Sequence, residues 1–176
     1  GVNARFVART IDRRLDHMPK VLHRAAEHKG ASFVEILQNC IVYNDGAFEH
    51  ITEKDVKKHM QLEVVHGQPL RFGEENEKGL VFDSKEMRLN VVTVGENGVT
   101  EDDILVHDET NKMLAMMLCA MEPPEYPVAI GVIYCNPGES YEAAVWRQNE
   151  EVKAKAKHAG DMNALLRAGA TWTVQG

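Results

Sequence analysis

The 176-residue sequence holds only three cysteines, Cys40, Cys119 and Cys135. They are odd in number and far apart, so they make no disulfide framework, and a reducing cytoplasm is the plain expectation. Long apolar runs are also missing. The longest, Met113 to Met121, stops at Glu122-Pro123-Pro124, well short of the ~20 residues that span a bilayer. Gly1-Val2-Asn3-Ala4-Arg5 has neither an apolar signal core nor an initiator Met, which suggests a processed or engineered chain not marked for export. Positive charge is the minority. Twenty Lys and Arg against 27 Asp and Glu leave a net charge of −7, which argues against a partner bound through a phosphate backbone. Arg13-Arg14 and Lys153 to Lys157 read as solvated helix faces. No nucleic acid and no membrane are expected as partners.

What is present suits one globular domain, or one domain with an appendage: 44% hydrophobic and 27% charged residues. The first stretch reads as a βαβ unit. Arg5 to Ile11 is a short apolar strand. Asp12 or Asp16 can cap a helix with Pro19 in its first turn, and Leu15, Met18, Leu22 and Ala25 recur as one face. Gly30 ends it in a left-handed position, and Ser32 to Gln38 is a second buried strand. Strand, crossover helix and strand this close together signal a parallel sheet. Two strands cannot bury both faces of a sheet, so the unit is expected to be the end of a larger α/β domain. Its bare edge is expected to pair with a second copy of the fragment, or else to leave residues 1–43 mobile.

After Cys40 the character changes at the turn Asn44-Asp45-Gly46. Short strands are expected at Gln61–Val65, Pro69–Phe72, Gly79–Phe82 and Leu89–Val94, with turns at Gly73–Gly79 and Asn97-Gly98. Thr100 and Asp103 form a candidate capping box before a strand-like Ile104–His107. Asn111 to Met121 reads as a helix apolar on all sides and Val128 to Tyr134 as a buried strand. Ser140 to His158 reads as an amphipathic helix carrying Tyr141, Val145, Val152 and Ala156 on one face and a Glu151–Lys155 pair on the other. Asp161 caps a short helix to Ala168, and Thr171 to Gln175 alternates like an edge strand.

Cys40 is the foremost chemical candidate, because it lies just beyond the carboxyl end of a parallel strand, where open α/β sheets place their sites. Taken alone it reads more readily as a buried structural thiol. It has no CxxC companion, so a metal site there must borrow ligands from elsewhere. Cys119 and Cys135 read as core. His17, His23 and His28 are not at the i,i+4 spacing of a helical zinc site. His107-Asp108-Glu109 is a possible acid–base cluster at a strand end. No GxGxxG, GxxxxGK[ST], GxSxG or HExxH occurs.

Arg5-Phe6-Val7-Ala8-Arg9-Thr10, the stretch from Ala31 to Phe48 centred on Gln38-Asn39-Cys40, His66 to Gly73, Ile104 to Asp108 and Thr171 to Val174 occur in a familiar order. Through them the chain resembles the β subunit of 2-oxoacid:ferredoxin oxidoreductases, most closely the 2-oxoglutarate type, and only its C-terminal half. The resemblance implies a thiamine-diphosphate- and Mg²⁺-dependent enzyme that decarboxylates a 2-oxoacid oxidatively with coenzyme A. It implies an α subunit as partner and electrons passed through a [4Fe–4S] cluster to ferredoxin. It makes Cys40 the fourth cysteine of that cluster. Residues 1–43 become the end of the thiamine-diphosphate-binding domain and 44–176 a small mixed α+β C-terminal domain. No Gly-Asp-Gly motif and no other matching cysteine is present, so no catalytic or cofactor-binding residue besides the metal ligand Cys40 carries over. The isolated chain is expected to be inactive and to bind none of these cofactors. The alternative is a non-catalytic assembly module in which Cys40 is an ordinary thiol.

Overall fold

The structure, a computed structural model, describes residues 3–156 and 160–176. Phe6–Ile11 (β1), Met18–Glu27 (α1) and Phe33–Leu37 (β2) form the expected βαβ unit, with β1 and β2 parallel in the register Val7↔Phe33 to Ile11↔Leu37. Glu49–Thr52 (α2) and Lys57–Met60 (α3) lead into Gln61–Val64 (β3). Arg71–Phe72 (β4), Lys78–Asp83 (β5) and Arg88–Thr93 (β6) make a separate antiparallel sheet. Lys112–Cys119 (α4) and Val128–Cys135 (β7) complete the unit Gly1–Gly138. A second unit, Glu139–Gly176, contains Tyr141–Lys155 (α5) and Met162–Leu166 (α6). The chain is thus α/β with a mixed sheet.

The main sheet has the order β2-β1-β7-β3, with β7 antiparallel to β1 and parallel to β3. β7 is an apolar run buried along almost its whole length, so it needs strands on both edges as well as cover on both faces. It finds β1 and β3. This changes two expectations. β1 is a central strand with Phe6, Ala8 and Thr10 almost fully buried, and the bare edge belongs to β2, with Phe33 and Ile36 exposed. The expected division at 43/44 falls inside one sheet, because β1 and β2 precede it and β3 and β7 follow it. The compact units divide after Gly138 instead.

The helices follow local chemistry with some departures. α1 buries Val21 and half-buries Ala25 against β1 and β7, leaving Leu15 and Leu22 exposed. The buried face is therefore the His17–Val21–Ala25 ridge and not the expected Leu15–Met18–Leu22–Ala25 face. Asp16 does not cap it, because its carboxylate is engaged by the Arg14 guanidinium at 3.1 Å. Asn111 caps α4 by accepting from Met113 and Leu114. That helix buries Leu114, Ala115 and Leu118 but exposes Met113 and Met116, so it is amphipathic, not apolar all round. Thr100 and Asp103 do form a capping box, on a 3-10 turn. Ile104–His107 contributes one bridge, Pro69↔Val106, in place of a strand.

In the second unit Ser140 caps α5; the last residues of the expected helix, 157 and 158, lie outside the described residues. Within it the ion pairs are Arg147–Glu151 and Lys153–Glu150, not Glu151–Lys155, and Arg147 also pairs with Glu139 ahead of the helix. Asp161 caps α6, and Thr171–Gln175 is not a strand. Among the described residues no helix is long and apolar enough to cross a membrane.

Candidate functional site

β1 and β2 end side by side at Ile11 and Leu37, and the chain leaves β2 through Gln38-Asn39-Cys40. Asp12 and Asn39 tie these two ends together. The Asn39 N–H donates to Asp12 Oδ2 at 3.2 Å, and the Leu37 carbonyl accepts from the Asp12 N–H at 3.1 Å. Asn39 then closes the following turn with its side chain, donating from Nδ2 to Asp45 Oδ1 and accepting from the Gly46 N–H, both at 2.9 Å. Cys40 and Asn44 face each other in an isolated bridge, with the Asn44 N–H donating to the Cys40 carbonyl at 2.9 Å.

This turn decides the chemistry of the sulfur. Cys40 is exposed, not buried. The backbone N–H groups of Tyr43 and then Val42 favour the ionised form and hold its pKa below the usual cysteine range. A thiolate is the form that binds metal and attacks electrophiles. Ile41, Val42 and Tyr43 themselves stand out in solvent at 78%, 75% and 91% exposure. Beside the turn lies a polar cleft of about 270 Å³ lined by Asp12, Arg13, Asn39, Phe48, Glu49 and Thr52. Sequence reasoning located the cysteine; it missed Asp12 as a tether, because nothing in the sequence states that the two strand ends are adjacent.

The other candidates separate. Cys135 is buried, as expected, but Cys119 is exposed and lines an apolar groove with Val7, Met116 and Tyr134. Partial burial in that groove pushes its thiol pKa up, opposite to Cys40. His107, Asp108 and Glu109 do not converge. His107 is almost fully buried, with Nε2 at 2.9 Å from the Val132 carbonyl. Asp108 caps Thr110, and Glu109 pairs with Arg24 at 2.9 Å. His17 is also buried, its Nδ1 at 2.8 Å from the Thr10 hydroxyl. Among the described residues no three His, Cys, Asp or Glu side chains gather as a metal site. Cys40 therefore belongs to no complete ligand set among the described residues.

No family model matches the sequence. Two curated proteins do. The 2-oxoglutarate oxidoreductase subunit KorB of Mycobacterium tuberculosis is 36% identical over 108 residues, 61% of this chain and 28% of that protein. Subunit beta of 2-oxoacid:ferredoxin oxidoreductase 1 of Aeropyrum pernix is 42% identical over 40 residues, 23% of this chain and 13% of that protein. The matched stretches thus span under a third of these relatives' lengths. Among solved structures, a 2-oxoglutarate:ferredoxin oxidoreductase from Magnetococcus marinus, bound to 2-oxoglutarate, coenzyme A and succinyl-CoA, matches 96% of this chain and 41% of its own. The TM-score is 0.55 at 15% identity, a likeness of fold. The chain is thus similar in sequence to β subunits of 2-oxoacid:ferredoxin oxidoreductases, as its motifs imply.

Proposed function

We propose that this chain is part of the β subunit of a cytoplasmic 2-oxoacid:ferredoxin oxidoreductase whose substrate is 2-oxoglutarate. In that reaction the 2-oxoacid loses CO₂, its acyl group passes to coenzyme A, and two electrons leave singly to ferredoxin. The sequence likeness to two oxidoreductase subunits carries the reading. Thiamine diphosphate with Mg²⁺ supplies the decarboxylation chemistry in such an enzyme and a [4Fe–4S] cluster the one-electron path. Residues 1–43 carry the end of the thiamine-diphosphate-binding domain, with β1 and β2 joined in one sheet to β3 and β7 of the C-terminal part, 44–176, and the subunit works with an α subunit.

This chain's contribution to the electron path is Cys40. An exposed sulfur whose pKa is lowered by neighbouring backbone N–H groups is suited to ligate iron, and hydrogen bonds to ligating sulfurs are one of the levers that set a cluster's potential. Asn39 and Asp12 hold the turn that presents it. No residue of the chain is assigned to thiamine diphosphate.

The experiment is to assay the longer subunit that contains this chain, complexed with its α subunit, for ferredoxin reduction on addition of 2-oxoglutarate and coenzyme A. Reduction is expected, and Cys40→Ser should slow it and alter the cluster's electron paramagnetic resonance spectrum, whereas Cys119→Ser leaves both unchanged. Reduction by another 2-oxoacid but not 2-oxoglutarate would overturn the substrate. No reduction by any 2-oxoacid would overturn the enzyme reading and leave the assembly module. An unchanged spectrum and rate in Cys40→Ser would remove Cys40 from the cluster.

A further inference from the structure

The sequence scatters its basic residues, yet the fold gathers five of them into one place. Arg13 and Arg14 from the β1–α1 turn, Lys57 and Lys58 from α3, and Arg71 from β4 line a single cleft of about 560 Å³. Three acids share its lining, Asp16, Glu63 and Glu74, and Glu53 and Glu101 pair with Arg13 and Arg71 from outside it, which leaves five cations to three acids in the lining itself and Lys57 without an acidic partner among the described residues. We infer that this cleft is a binding site for the phosphoryl or diphosphoryl group of a small-molecule ligand.

The cations divide into two kinds. Arg14 and Arg71 are fixed. Arg14 donates to Gln61 Oε1 at 3.1 Å and Glu63 Oε2 at 2.7 Å, while Asp16 holds its other side. Arg71 donates from Nε to the Asn76 carbonyl at 2.8 Å and from Nη1 to Glu101 at 2.6 Å, which leaves Nη2 for a ligand. These two form a rigid positive floor whose entropy of ordering is already met by protein contacts. Arg13, Lys57 and Lys58 are the movable donors. Arg13 is 64% exposed and only 3.8 Å from Glu53. Lys57 takes part in none of the ion pairs of the described residues, and Lys58 is paired with the exposed Glu74. An exposed pair of that kind is worth about 0–1 kcal/mol and yields readily to a dianion. The Gly73 N–H, bonded to the Lys58 carbonyl at 2.8 Å, ties the loop after β4 to α3 and keeps the cleft's two walls together.

Phosphate suits this set better than carboxylate. Its three oxygens and two charges can meet a guanidinium and two ammonium groups from different walls at once, whereas one carboxylate satisfies a single fork. The cleft's volume is that of a small-molecule site and exceeds what one phosphate fills. The site shares only Arg13 with the cleft beside the Cys40 turn and stands whether or not Cys40 binds iron.

The test is calorimetric titration of the whole chain with inorganic pyrophosphate and, separately, ADP at low ionic strength, paired with amide NMR of the unmodified chain. Saturable binding is expected, with shifts concentrated at Lys57, Lys58, Arg71 and Gly73. Arg13→Ala with Lys57→Ala should weaken it about tenfold or more, the loss of two charge-assisted bonds, while Lys85→Ala has no effect. Tighter binding of ADP than pyrophosphate would assign the rest of the cleft to a nucleoside, and equal binding would assign the phosphoryl group alone; both support the site. No saturable binding, citrate binding as tightly as pyrophosphate, or shifts spread over all basic residues would each overturn it.

Discussion

His17 and His107 are the residues whose ionisation the fold controls most directly. Both are almost fully buried, and burial lowers both pKa values below the ordinary histidine range. In His107 the geometry gives the reason. Nε2 is at 2.9 Å from the Val132 carbonyl, and Nδ1 has no partner among the described residues, so a second ring proton would be a buried donor without an acceptor. Glu109 and Asp108 favour the charged ring and His66 opposes it, but desolvation is the larger effect. The unfolded chain takes up these protons near pH 6.5 while the folded chain does not. Stability is therefore full above that pH and falls as pH drops below it, by at most about 1.4 kcal/mol per pH unit for each histidine. The lowered carboxylates Asp16, Asp103 and Asp108 keep their bonds through this window and lose them only in stronger acid. Urea unfolding at pH 7.5 and 5.5 should show a lower midpoint at the acid pH. Equal midpoints would mean that neither ring is held neutral by the fold.

At the scale of elements, β7 organises the molecule and Gly131 makes that possible. Its φ of 121° lies in the left-handed region, and a Cβ there would come within 2.5 Å of the Val64 carbonyl oxygen on β3. Next to it the pairing with β1 slips, from Val7↔Tyr134 to Ala8↔Val132, a bulge that lets one strand serve two neighbours. Gly131→Ala should cost about 2–4 kcal/mol, from backbone strain plus displacement of a main-chain atom. Denaturant unfolding measures it, and a loss under about 0.5 kcal/mol would show that the strands separate freely. The same strand marks the limit of what could be read in the sequence. The apolar runs at 6–11, 33–37 and 128–135 announce strands, although 33–37 is a partly exposed edge and not the buried strand expected, and Gly46, Asn97-Gly98, Thr100 and Ser140 announce their turns and caps. Local pattern carries those. It does not carry partner choice: nothing in Val128–Cys135 says that it lies antiparallel to β1, so the boundary at 43/44 was drawn through a sheet. The Cys40 position was legible as the end of a parallel strand. Its exposure, its N–H groups and the five-cation cleft depend on contacts between segments tens of residues apart.

For the whole molecule, the consequence is an asymmetric sheet. β3 at one edge runs close to β4, while among the described residues β2 at the other pairs only with β1. Natural edges are guarded by Pro, Lys or bulges. Phe33-Val34-Glu35-Ile36-Leu37 has none of these, and its single charge is already bound by Arg9 at 2.5 Å. Adding a strand from a second copy would gain about 1 kcal/mol for each new ladder bond and a similar amount for covering each of Phe33 and Ile36. Association itself costs about 4–15 kcal/mol, and a two-fold antiparallel pairing centred on Glu35 sets like charges opposite each other. The gain and the cost are of the same order, so self-association of the isolated chain is expected to be weak and visible only at high concentration. Light scattering over a dilution series should show the mean mass rising with concentration. Amide exchange should show residues 33–37 becoming more protected in parallel, while the central β1 is slow throughout. A chain that stays monomeric at every concentration, with protection of 33–37 unchanged, would show that the β2 edge does not recruit a second copy.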